Sequence, residues 1–146
     1  MTGTPINKMI SYSRGVRIME WINDLQKAID YIEDNLLGDI DAESVSSHVY
    51  TSKDHFQKIF GIVTGFTVIE YIRNRRLSQA AQELYEKDLR IDVALKYGYE
   101  TPESFTKAFT RLYGESPSSM RKKGLKPKLF NPVSIHIIVK GGFSMN

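Results

Sequence analysis

The sequence predicts an all-α protein in which two helix-turn-helix units are joined by a linker helix and followed by a short strand-like tail. Three observations carry this. Apolar residues recur at helical spacing along most of the chain. Residues 91–97 and 102–114 form two short amphipathic runs separated by Gly98, Tyr99, Glu100 and Thr101, the pattern of helix, tight turn and helix. A similar layout occurs 49 residues earlier, where Tyr50, Phe56, Lys58, Phe60 and Gly65 match Tyr99, Phe105, Lys107, Phe109 and Gly114.

Taken in order, residues 1–18 show no helical period and contain Gly3, Pro5 and Gly15, so they are expected to be a flexible leader, with Met19 a second candidate start. Residues 20–37 carry Ile22, Leu25, Ile29, Ile32 and Leu36 on one stripe, a helix with an acidic outer face. Gly38 is placed to end it in the left-handed conformation. Asp41 is expected to cap a short helix over 42–48, and Ser52 a second over 53–62 with Phe56, Ile59 and Phe60 inward. Thr67 caps the linker helix, 68–85, with Ile69, Ile72, Leu77, Ala80, Ala81 and Leu84 as its apolar positions. Arg73, Arg75 and Arg76 fall within one turn of it and are placed either to solvate a face or to pair with phosphates and carboxylates.

In the second unit Phe105, Phe109 and Leu112 are expected inward, leaving Glu103, Thr106 and Lys107 outward. Pro117 opens a last helical turn over 118–123. The expected divisions are a leader (1–18), a first unit (20–66), the linker helix (67–86), a second unit (87–124) and a tail (125–146). The β-branched run 133–140 reads as a strand, and a single strand is not stable alone. It is expected to begin a domain continuing past Asn146; the alternative is packing against the helical body.

The chain has 146 residues, net charge +3 and no cysteine. That excludes disulfides, thiolate metal sites and cysteine nucleophiles, and fits a cytoplasmic protein. No apolar run approaches a membrane span and no signal peptide is evident. Charge is uneven. Residues 19–39 hold six acids against one base, whereas residues 104–128 hold seven bases against one acid. Clustered positive charge is the footprint of a polyanion partner. His48, His55 and His136 lack metal-ligand spacing, and no glycine-rich phosphate loop is present, so neither catalysis nor a cofactor is expected.

The stretches 52–60 (SKDHFQKIF), 70–77 (EYIRNRRL) and 91–99 (IDVALKYGY), followed by Ser104 to Phe109, Gly114, Ser116, Pro117 and Arg121, resemble the AraC/XylS family of bacterial transcription regulators. The resemblance covers residues 22–124 and implies a homeodomain-like pair of helix-turn-helix units that binds double-stranded DNA. It places base contacts on Asp54, Gln57 and Lys58 of the first recognition helix and on Glu103, Thr106 and Lys107 of the second, with Pro102 beside them. Ser52, Lys53, His55, Arg73, Arg75, Thr101, Arg111, Arg121 and Lys122 are the accompanying candidate phosphate contacts. The family further implies RNA polymerase as a partner. Residues 130–145 resemble the entry to a gyrase-inhibitor-like effector domain, so a small-molecule effector would bind through a domain absent from this chain. The rival reading is a helical module that docks a protein partner in transcription.

Overall fold

The fold is arranged about one helix that buries opposite faces at its two ends. The computed structural model describes residues 6–87, 90–136, 138 and 140–142. Helix α1 spans Ile6–Asp34, α2 Ala42–His48, α3 Lys53–Thr64, α4 Val68–Lys87, α5 Arg90–Lys96, α6 Pro102–Tyr113 and α7 Pro117–Lys122. In α4, Val68, Tyr71 and Ile72 enter a core with α1, α2 and α3. Leu77, Ala80, Ala81 and Leu84 enter a second core with α5 and α6. At about 100° per residue, Val68 and Leu77 point roughly 180° apart, so each helix-turn-helix unit packs on its own side of the linker.

This corrects the single stripe expected for α4. Ile69 is 56% exposed, while Val68 and Tyr71 are fully buried. The first face continues through Arg75, which is polar yet buried, and so conceals its own period. In α6, Phe105 and Phe109 are buried as expected, but Leu112 is 36% exposed. Packing at that end goes to Tyr113, whose ring lies 4.7 Å from that of Phe109.

Helix α1 also departs from expectation. It is continuous from Ile6, so most of the expected leader is helical. Gly15 inside it costs only about 1 kcal/mol relative to alanine, too little to end a helix flanked by ordinary helix formers. At its other end Gly38 does not take the left-handed conformation. Arg76 closes this end instead, donating to the carbonyls of Leu36 and Gly38, both at 2.7 Å.

The tail forms no strand among the described residues. It lies along the first core as an irregular strap. The Phe130 ring meets Phe66 edge-on at 5.1 Å and Tyr71 at 5.7 Å. The Phe130 amide donates to Ser78 Oγ at 2.8 Å, the Val133 amide to Tyr71 Oη at 3.0 Å, and the Ile135 amide to Gln26 Oε1 at 3.0 Å. Val133 and Ile135 are half-buried while Ser134 and His136 are exposed. The period-2 pattern is therefore real, but side chains rather than a neighbouring strand satisfy the backbone. Phe130→Ala is expected to cost about 2 kcal/mol, below the range for a fully buried phenylalanine, measured by urea denaturation with helix content retained.

Candidate nucleic-acid interface

The two units display α3 and α6 in the same way, because the same devices fix both helices. At the start of α3, Ser52 Oγ accepts from the His55 amide at 3.4 Å. At the start of α6, Thr101 Oγ1 accepts from the Ser104 amide at 3.1 Å, and the Ser104 hydroxyl returns a bond to the Thr101 carbonyl at 2.8 Å. Each helix ends on a left-handed glycine, Gly65 at φ 79° and Gly114 at φ 80°. L-residues rarely tolerate that conformation. Inward, Phe56 and Phe60 sit 5.6 Å apart, and Phe105 and Phe109 5.9 Å apart. With caps and anchors fixed, the rotation of each helix about its axis is fixed too.

The outward faces follow. On α3, Lys53, Asp54, His55 and Lys58 are exposed and Gln57 is half-buried. On α6, Pro102, Glu103, Thr106, Lys107 and Arg111 are exposed. Pro102, Glu103, Ser104, Thr106, Lys107 and Thr110 together line a broad, shallow hollow. All six expected base-contacting side chains therefore lie on the two displayed helices, three on each. Arg73 and Lys122 are exposed as well. The start of α3 combines N-terminal backbone N–H groups with a hydroxyl cap, an arrangement that favours an anion. At the start of α6, Pro102 has no N–H to offer and the Ser104 amide is taken by Thr101.

Two of the expected phosphate contacts are engaged elsewhere. Arg75 is only 6% exposed. It holds Glu33 with two parallel bonds, Nε to Oε1 at 2.7 Å and Nη2 to Oε2 at 2.8 Å, and its Nη1 donates to the Phe130 carbonyl. A guanidinium so enclosed cannot reach a phosphate; it joins α1, α4 and the tail. Glu33 accordingly leaves the acidic outer face of α1 for this pair. Arg121 donates to the Leu84 carbonyl at 2.5 Å, tying α7 to α4.

The turns differ where the sequence repeat implies that they match. Thr51 donates to the Ser46 carbonyl and Tyr99 to the Ala94 carbonyl, so the turns superpose with an offset of 48. From the caps onward the offset is 49. The second turn is one residue longer, and Tyr50 stands level with Gly98 rather than with Tyr99. Both take positive φ, 56° for Tyr50 and 84° for Gly98. In the second unit the Tyr97 hydroxyl donates to Glu83 at 3.0 Å, and Lys96 reaches the same carboxylate at 2.9 Å. Burial and the carboxylate together push the Tyr97 phenol up to about 12. At the start of α2, the Ser44 amide holds the Asp41 carboxyl below its usual range.

A family model described as a helix-turn-helix domain matches residues 45–123. The chain is 37% identical over 117 residues to the HTH-type transcriptional activator AarP of Providencia stuartii, covering 79% of this chain and 86% of AarP. It is 32% identical over 103 residues to the multiple antibiotic resistance protein MarA of Escherichia coli strain K12, covering 70% and 81%. The chain belongs to the AraC/XylS family. Among solved structures, the DNA-binding domain of AdpA in complex with a target DNA superposes with a TM-score of 0.61 at 26% identity, covering 68% of this chain and 90% of that one. An AraC-type regulator from Chromobacterium violaceum gives 0.65 at 19% identity, covering 73% and 96%, a likeness of fold.

Sequence reasoning missed Arg76 as the cap of α1, because its partners lie about 40 residues upstream. It also missed Tyr50, for which a tyrosine where the second turn has glycine was the available signal. The Glu33–Arg75 pair gives a stability test within this family fold. Glu33→Ala strands a buried cation and should cost about 3–5 kcal/mol, whereas replacing Glu33 and Arg75 together by methionine should cost far less. Urea denaturation of both variants measures the difference.

Proposed function

We propose that this family member binds duplex DNA sequence-specifically, with α3 and α6 in two successive major grooves of one face. The observation that carries the reading is the mounting: two capped helices with outward polar strips, held on the two ends of the 20-residue helix α4. Twenty residues span about 30 Å, close to the roughly 34 Å helical repeat that separates successive major grooves.

The side-chain chemistry supports base reading at both helices. Lys58 and Lys107 can donate to guanine N7 and O6, Gln57 suits adenine, and Asp54 and Glu103 can accept from cytosine N4. Thr106 offers a hydroxyl to bases of either kind and a methyl to thymine. Two carboxylates on otherwise cationic strips repel phosphate, which makes a misplaced register costly and favours reading over loose adhesion. Lys53, His55, Arg73, Arg111 and Lys122, with the start of α3, supply the phosphate contacts; the burial of Arg75 removes it from that set. Family membership supports RNA polymerase as a second partner.

The test is binding to duplexes selected from a random pool. Lys107→Ala should cost about 1–3 kcal/mol on the selected duplex and relax preference at one position. Arg73→Ala should weaken selected and random duplex alike and lower the salt slope by about 0.9. Equal loss on both duplexes for Lys107→Ala would remove it from the base-reading set. Undetectable duplex binding at low salt would favour the protein-docking reading instead.

A further inference from the structure

Tyr50 sits in the turn between α2 and α3, two residues before the Ser52 cap. Its φ of 56° makes it the sole non-glycine with positive φ among the described residues. A tyrosine there is strained, because Cβ crowds the following carbonyl. The turn itself gains nothing from the side chain. Its hydrogen bonds are backbone ones, Tyr50 N–H to the Ser47 carbonyl and Thr51 N–H to the Ser46 carbonyl, both near 3 Å. The side chain is 98% exposed, so it contributes almost no packing. The second unit makes the corresponding turn with Gly98, without strain. Folding alone would thus be served better by glycine at position 50. Strain kept without a folding return points to a task outside the fold.

The position says what the task is. The start of a recognition helix is the part that approaches DNA. Ser52, Lys53 and His55, all exposed, cluster at the start of α3 beside Tyr50. A phenol is a rigid, neutral hydrogen-bond donor of the kind used on phosphate oxygens. We propose that the Tyr50 hydroxyl donates to a backbone phosphate bordering the first half-site and so positions α3 in its groove. This rests on the reading of α3 and α6 given above. It adds a contact for which the second turn, with Gly98, has no side chain, and so makes the first unit the more firmly registered of the two.

The experiment compares the full chain with Tyr50→Phe and Tyr50→Gly on a selected and a random duplex over a range of salt. Tyr50→Phe should bind both duplexes about tenfold more weakly, the scale of one hydrogen bond to a charged group. Its salt slope should be unchanged, because a neutral phenol releases no counterion. Tyr50→Gly should lose at least as much affinity while melting at a higher temperature, a combination that a purely structural role cannot produce. Wild-type affinity for Tyr50→Phe, or a loss confined to the selected duplex, overturns the phosphate contact and leaves the two-groove reading standing. A wild-type chain that binds neither duplex overturns both.

Discussion

Everything that places the two displayed helices depends on α4 burying opposite faces at its two ends. An amphipathic helix with one stripe would gather both units on one side and merge their cores. Here Val68, Tyr71 and Ile72 look one way, and Leu77, Ala80, Ala81 and Leu84 the other. The two cores are separate clusters, so α4 is the element common to both. The distance and relative rotation of α3 and α6 are then set by the rigidity of a helix about 30 Å long, not by a contact between them.

A linker that bears load at both ends needs its middle held. Arg75 and Arg76 do this in sequence order, one with a half-buried carboxylate and the other with helix-end carbonyls. Arg75 binds Glu33 of α1 and the Phe130 carbonyl of the tail. Arg76 closes α1 at Leu36 and Gly38. A planar guanidinium can serve several acceptors in fixed directions, and lysine in either place could not. The tail is part of the same arrangement. Its amides at Phe130, Val133 and Ile135 are taken by Ser78, Tyr71 and Gln26, so α1, α4 and the strap form one hydrogen-bonded group behind the first unit.

Much of this was legible in the residues. Ser52 as a cap, the phenylalanine pairs Phe56–Phe60 and Phe105–Phe109, and the 49-residue repeat gave α3 and α6 within a few residues; the Thr101 cap is seen only in the structure. They also gave the outward strips, because cap and anchor fix the phase of a short helix. What escaped has a common cause. Arg75 and Ser78 are polar residues in core positions, so the first face of α4 showed no apolar period, and Ile69 was placed inward in its stead. The strand expected at 133–140 had the right alternation over 133–136, with 137 and 139 outside the described residues, but alternation does not say who supplies the hydrogen bonds. The turn at Tyr50 was paired with Tyr99 because identity of side chain outweighed a shift of one residue, although backbone conformation pairs it with Gly98. Burial of a charge and the sign of φ are decided by tertiary surroundings that no local pattern carries.

The central claim is that α4 fixes the spacing of two readers, and half-site spacing on the DNA measures it most directly. In a duplex selected for tight binding, about five base pairs inserted between the half-sites turn the second one to the opposite face. If α4 is the rigid spacer described here, binding should fall to the level of a random duplex. An insertion of about ten base pairs, which restores the face but lengthens the span by roughly 34 Å, should not rescue it. Unchanged affinity for the first insertion would show that the two units are not held in fixed register, and would contradict the account.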